Sequence, residues 1–350
     1  MKILAIETSC DDTCVAILDN QKILSNVISS QIDLFKKWGG VVPDIAKRAH
    51  QDRIWPVVNE ALKRSGLMKD KDGIDEAMKK VDLVAVTQGP GLAIALGVGI
   101  DVAKELVTKY KKKLVAVNHI EGHILSNFLK NRNGKPNRKI KFPTLVLTVS
   151  GGHTKLVLMK GIGKYEVIGQ SLDDAAGEAL DKASKMLGFS YPGGPIIERL
   201  AKEGNKNFLK LPRPMSQFKN YDYSFSGLKT SFYYQIREWK KERISKRAKD
   251  LAASFQNAVF DSLLIKLSRA IDGLKPKSLL ASGGVMANLE LRKRLRKLAK
   301  EKGLPVYMPF KKELNTDNGA MIGIAGYYKY KRSELIKKVD RLERQSRLEL

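Results

Sequence analysis

One pattern occurs twice in this chain, and it limits the fold more than any other feature. KILAIETSCDDTCVAILDN (2–20) and TLVLTVSGGHTKLVLMKG (144–161) each read as an apolar strand, a short polar or glycine turn, and a second apolar strand. KILSNVISSQ (22–31) extends the first pair into a meander, and KYEVIGQS (164–171) extends the second. Helices and strands alternate after each meander. In the first half, Ile45, Ala49, Ile54, Val57, Val58, Ala61 and Leu62 recur at helical spacing between 43 and 65. VDLVAVTQGPG reads as a strand closed by a turn, a helix starts near Ala93, and KLVAVNH is another strand. In the second half, helices are expected at about 175–188, from about 196, at 226–241 and at 248–271. KSLLASGGVMAN then reads as a strand entering a glycine turn, followed by a basic helix.

Two similar α/β lobes facing each other across a central cleft account for the recurrence. An actin-like, sugar-kinase-like fold has that form, and a single doubly wound domain is the alternative. The expected lobes are 1–125, completed by 318–350, and 126–317, with a helical insertion at about 195–250. Basic KNRNGKPNRKIKFP (130–143) is the candidate linker. With 350 residues, 43% of them hydrophobic, the chain can bury two cores.

NHIEGHIL (118–125) places His119 and His123 on one face of a helix, one turn apart. The pair is either two ligands of one metal ion or two ordinary helix histidines. In a zinc-protease helix the glutamate directly follows the first histidine. Here Glu121 comes two residues after it, about 200° round the helix, which counts against a peptidase. Asp317 in NTDNGAM either caps the following helix or completes a two-histidine, one-carboxylate site suited to iron or zinc.

VSGGHT, YPGGP and ASGGVMAN all carry paired glycines, and two of the three follow apolar strands. Such turns admit phosphate oxygens close to backbone N–H groups. None is a P-loop or a dinucleotide fingerprint. Glu7, Asp11 and Asp12 cluster in the first turn. Asp174, Glu178 and Asp181 recur at helical spacing, so one helix face could hold a ribose; solvated carboxylates are the alternative.

Charge points outward. Lys and Arg number 64 against 37 Asp and Glu, a net +27, which fits a polyanionic partner or a lysine-rich proteome. The candidate contact segments are 130–141, 236–249 and 292–302. Cys10 and Cys14 make no disulfide framework and read as reduced thiols of a cytoplasmic protein. The N-terminus does not read as a signal peptide, and no segment reads as a bilayer span.

In order along the chain, ETSCDDT, GPG, HIEGH, VSGGHT, DDAAGEALDK, YPGGP, FSGLKTS, ASGGVMAN and NTDNGAM resemble the TsaD/Kae1/Qri7 family of tRNA N6-adenosine threonylcarbamoyltransferases. The resemblance covers about 2–328 and is nearest the bacterial branch. It implies the actin-like ATPase and sugar-kinase (ASKHA) fold. It also implies transfer of threonylcarbamoyl from threonylcarbamoyl-AMP to N6 of adenosine 37, in tRNAs reading codons that begin with A. His119, His123 and Asp317 match the family's metal ligands, with Fe2+ favoured over Zn2+. Thr148, Val149, Ser150, Gly151 and Gly152 match the segment that binds the adenylate. Asp181, Gly194 and Asn288 match further nucleotide contacts, and Asp11 an acid near the metal and the transferred group. The implied partners are the tRNA anticodon stem-loop, a TsaB-like paralogue and a TsaE-like ATPase, or a second copy in a homodimer. A metallopeptidase, a sugar kinase or ATPase of the same fold, and a non-catalytic scaffold are the rival readings.

Overall fold

The computed structural model describes residues 1–69, 71 and 73–350. The chain divides into two compact units, residues 1–139 with 309–350, and residues 140–308.

The first unit is built on β1 (Lys2–Glu7), β2 (Asp12–Asp19), β3 (Lys22–Ser30), β4 (Leu83–Gly89) and β5 (Lys113–Asn118). Their order across the sheet is β3-β2-β1-β4-β5. β1 and β2 pair antiparallel, with Ile6 opposite Val15, whereas β4 and β5 run parallel to β1. Ile3 to Ile6 are buried on both faces, as a central strand between covered faces requires. The helices are α1 (Ile32–Phe35), α2 (Pro43–Ser65), α3 (Ile74–Lys79), α4 (Ala93–Tyr110) and α5 (His119–Leu125). Pro43 opens α2, and Gly66, in the left-handed region, closes it. Ile54, Val58, Ala61 and Leu62 of α2 join Leu4, Ile6, Val84 and Leu106 in one apolar core.

The second unit repeats that frame. Its strands are β6 (Thr144–Val149), β7 (Thr154–Gly161), β8 (Lys164–Gln170), β9 (Ser278–Ser282) and β10 (Val306–Tyr307). Their order is β8-β7-β6-β9-β10, the same order with the same parallel and antiparallel neighbours. Between β8 and β9 come α6 (Ala176–Met186), α7 (Gly193–Ala201), α8 (Ser226–Ile236) and α9 (Lys241–Leu274); α10 (Leu289–Glu301) follows β9. Phe225, Phe232, Phe255 and Phe260 fill this unit's own core.

The last helix, α11 (Gly319–Lys331), returns to the first unit and packs on β1, β2 and α5. The division falls at 139/140 and 308/309, not at 125/126 and 317/318. Residues beyond 125 stay with the first unit because Lys130 bridges β3 at Lys22 and Arg132 donates to the Leu24 carbonyl. Segment 130–143 is thus pinned against β3 over part of its length. Among the described residues, no helix is long and apolar enough to cross a membrane.

Candidate active site

In open α/β sheets, ligand sites gather beyond the carboxyl ends of the strands. Both units place their distinctive residues there. Glu7 ends β1, Thr87 lies near the end of β4, and Asn118 ends β5.

Asn118 starts the histidine helix. Its side-chain oxygen accepts N–H bonds from Ile120 (2.8 Å) and Glu121 (3.2 Å), which fixes where α5 begins and so where its first residue points. His119 and His123 then share a face, with ring centroids 4.7 Å apart and planes at 89°. Asp317 Oδ1 lies 3.5 Å from His119 Nε2 and 3.2 Å from His123 Nε2. One ligand atom from each of the three residues falls within 4.8 Å of the others. The alternative role for Asp317, capping α11, belongs instead to its neighbour: Asn318 accepts from Met321 N at 3.0 Å.

The outer side of His119 is held as well. Its Nδ1 lies 3.2 Å from Glu7 Oε2 and 3.1 Å from Ser9 Oγ. Glu7 in turn accepts from Ser9 N and from Thr87 Oγ1. A carboxylate on the far nitrogen of a ligating imidazole fixes its tautomer and direction. Burial opposes a charge on His119, but Asp317 and Glu7 together overcome it and push its pKa up to about 9. Burial also opposes the Glu7 charge, which His119 overcomes, holding the carboxyl below its usual range. His123 is pushed down, mainly by burial, and stays neutral. Its Nδ1 is buried with no hydrogen-bond partner among the described residues, and its Nε2 faces Asp317 without an aligned hydrogen bond. A cluster that draws positive charge, with neutral His123 presenting a nitrogen to a carboxylate, fits a divalent cation.

The second unit shows a different chemistry at the equivalent strand ends. β6 runs into Ser150-Gly151-Gly152, where Ser150 N donates to the His153 carbonyl (2.7 Å). Thr148 and Val149 are buried, and Thr148 Oγ1 lies 3.3 Å from Ser282 Oγ at the end of β9. A Cβ on Gly151, Gly152 or Gly194 would meet nothing within 4 Å. By contrast, a Cβ on Gly177 would lie 2.5 Å from the Ser150 carbonyl oxygen, so α6 packs directly under the turn. Asp181 sits beside the start of α7. Its Oδ1 accepts from Gly193 N (2.7 Å) and Gly194 N (2.9 Å) and so anchors the start of α7. Asp174 precedes α6 and pairs with Lys182 and Lys229, and Glu178 also pairs with Lys182. The expected acidic face is therefore largely neutralised. Asn288 spends its amide oxygen on Glu290 N and Leu291 N and its nitrogen on Gln256. Next to Asn288, a cavity of about 340 Å3 opens between α7, α9 and α10, with Glu198, Gln256 and Leu289 in its wall.

A profile of the family described as TsaD, tRNA N6-adenosine threonylcarbamoyltransferase, matches residues 22–324. A protein of that name from Thermosipho africanus is 46% identical over 332 residues, covering 95% of each chain. This chain belongs to the TsaD family. A second relative of the same name, from Phocaeicola vulgatus, is 46% identical over 331 residues, covering 94% of each chain. Among solved structures, HypF from T. kodakarensis superposes with a TM-score of 0.59 at 14% identity, over 94% of this chain and 48% of that one. That likeness shows the fold, the ASKHA type with duplicated α/β units.

Within this TsaD-family chain, Glu121 is turned away from the cluster. Its Oε1 receives Arg332 Nη2 at 3.0 Å, which ties α5 to the end of α11. A peptidase glutamate would face the histidines. Cys10 and Cys14 are pushed well above the ordinary thiol range, first by burial and then by the nearby acids, so neither is poised as a thiolate. Asp11 and Asp317 both contribute to the Cys10 shift, which puts the two carboxylates in one neighbourhood. Asn118 and Arg332 were not expected as site residues, and Glu7 was read only as one member of an acidic cluster with Asp11 and Asp12. What sets Glu7 apart from Asp11 and Asp12 is its place at the end of an otherwise apolar strand.

Proposed function

We propose that His119, His123 and Asp317 hold one divalent ion at the centre of this chain's reaction. That reaction is transfer of threonylcarbamoyl from threonylcarbamoyl-AMP to N6 of adenosine 37 of tRNA, releasing AMP. The observation that carries the assignment is the buried imidazole pair facing a single carboxylate. Two histidines and one carboxylate with open positions suit Fe2+ first and Zn2+ second. When bound, such an ion supplies Lewis-acid polarisation of the carbamoyl carbonyl and alignment of its oxygens.

The chain's own residues do the rest. Glu7 orients His119. Ser150, Gly151 and Gly152 bring N–H groups to the adenylate phosphate, where charge develops as the C–O bond to phosphate breaks. Thr148 and Val149 set the direction of that turn. Gly194, positioned by Asp181, and Asn288 border the nucleoside. Asp11 takes the N6 proton as the new C–N bond forms. The resemblance supports a TsaB-like paralogue and a TsaE-like ATPase as partners in the cytoplasm.

The Glu7→Gln variant is expected to weaken divalent-metal affinity about 10–100-fold. An amide must turn its NH2 toward one of the donors that Glu7 now accepts from, and it carries no charge to hold His119. Metal titration of the stripped protein reads the change, and an unaltered affinity would contradict the assignment. For the reaction itself, anaerobically purified chain is incubated with threonylcarbamoyl-AMP, Fe2+ or Zn2+ and unmodified tRNA, with the candidate partners added. Mass spectrometry should find the threonylcarbamoylated nucleoside. Its absence under every combination would overturn the reading.

A further inference from the structure

Some of the cations in two of the three basic segments are tied to the fold. Arg132 donates to the carbonyls of Leu24 and Arg64, and Arg138 to that of Asn127. Arg294 binds Asp261 and Asn257, and Lys302 pairs with Asp272. Arg292, Lys293, Arg296 and Lys300 of α10 have no carboxylate partner among the described residues, and the corner between α8 and α9 keeps a similar set. Lys240, Lys241, Arg243 and Lys246 have no carboxylate partner among the described residues, whereas Arg237, Arg247 and Lys249 do.

The same corner displays rings. Leu228, Phe232 and Ile236 turn α8's inner face to the core, leaving Tyr233 and Tyr234 47% and 58% exposed. The Arg237 guanidinium lies 4.7 Å over Tyr234, Arg243 3.8 Å over Trp239, and Arg247 5.3 Å over Phe208. Strong cation–ring contacts occur about once per 70–80 residues. Three Arg–ring pairs between Phe208 and Arg247 are a concentration that ordinary packing does not require.

Unpaired bases stack on aromatic rings and on guanidinium planes, while lysines take the phosphates. A duplex offers no unstacked base to such a surface. Tyrosine and arginine also anchor protein interfaces, but lysine is depleted there, so the unpaired lysines favour nucleic acid. The start of α8, which carries Tyr233 and Tyr234 farther along, is tied to the segment before α6. Asp173 accepts from Ser224 Oγ (2.6 Å) and Phe225 N (2.8 Å) at the start of α8, and Asp174 pairs with Lys229 one turn on. These two aspartates lead into α6, which packs under Gly151.

We propose that the α8–α9 corner is a docking platform for unpaired nucleotides of the tRNA acceptor, with Tyr233 and Tyr234 as its stacking rings. The transferase reading enters only through the identity of the RNA.

The test is a fluorescence-anisotropy titration of the full chain, free of metal and adenylate. The probes are an RNA hairpin with an unpaired loop and a fully paired duplex of equal length. Tyr233→Ala/Tyr234→Ala should weaken hairpin binding about tenfold or more, since each stacked base contributes at that level, and leave duplex binding near the parent value. Tyr233→Phe/Tyr234→Phe keeps both rings and should bind the hairpin like the parent. Equal loss on both RNAs, or none on the hairpin, overturns the proposal; no loss is what a protein-docking face would give. Failure of the transfer reaction would leave this binding result standing. An alanine variant that transfers with the parent KM for tRNA would overturn the platform and leave the transferase reading intact.

Discussion

Replacing His123 with alanine should remove the divalent ion and cut threonylcarbamoyl transfer about a thousandfold or more, because Lewis-acid stabilisation is worth several kcal/mol and each 1.4 kcal/mol is a factor of ten. The variant keeps only His119 and Asp317 of the ligand set. Stability should change far less than activity. The lost imidazole leaves a small cavity, but it is also a buried group whose Nδ1 has no hydrogen-bond partner among the described residues. The two effects oppose each other, each on the order of 1–3 kcal/mol. Metal analysis, rate and thermal unfolding of the stripped proteins measure the three quantities separately. A variant that retains metal and turnover would remove His123 from the site.

The second large effect separates glycines that look alike in the sequence. Gly283 sits at φ 93°, ψ 158°, a region that only glycine occupies comfortably. A Cβ there would lie 2.4 Å from the Val149 carbonyl oxygen, where β9 and β6 run side by side. Gly283→Ala should therefore destabilise the second unit by roughly 3–5 kcal/mol, backbone strain and the clash adding together. Next to it, a Cβ on Gly284 meets nothing. Gly284→Ala should unfold within about 1 kcal/mol of the parent. Gly152→Ala should likewise keep its stability but lose affinity for AMP, because the open space above that turn is assigned to the ligand. Chemical denaturation and AMP titration distinguish the cases. Equal stability for Gly283→Ala and Gly284→Ala would contradict the structure at that turn.

The duplicated frame was legible because strand, turn and strand recur, and central strands buried on both faces leave continuous apolar runs such as KILAI. The histidine pair was legible from its spacing. Asp317 could be nominated but not assigned, since the choice between ligand and cap depended on whether Asn318 would take the cap. Glu7 reaches His119 from 112 residues away through the pairing of β1, β4 and β5, which no local pattern encodes. The acidic face read on α6 is shorter than its spacing suggested. The helix begins at Ala176, so Asp174 lies outside it, and Asp181 turns to the start of α7. Basic segments looked alike in the sequence. Only side-chain partners showed that Arg132, Arg138 and Arg294 hold the fold together, and only the ring contacts of the α8–α9 corner set it apart from α10, which also keeps cations without a carboxylate.

The most direct measurement follows AMP release and the modified nucleoside in one reaction while metal loading is varied. Threonylcarbamoyl-AMP and unmodified tRNA are supplied to stripped protein reconstituted with increasing Fe2+ or Zn2+. The account predicts AMP and threonylcarbamoylated adenosine in equal amounts, both rising with bound metal to saturation at one ion per chain. It also predicts neither product from His119→Ala. Nucleoside formed at full rate by metal-free protein, or by the His119→Ala variant, would contradict it.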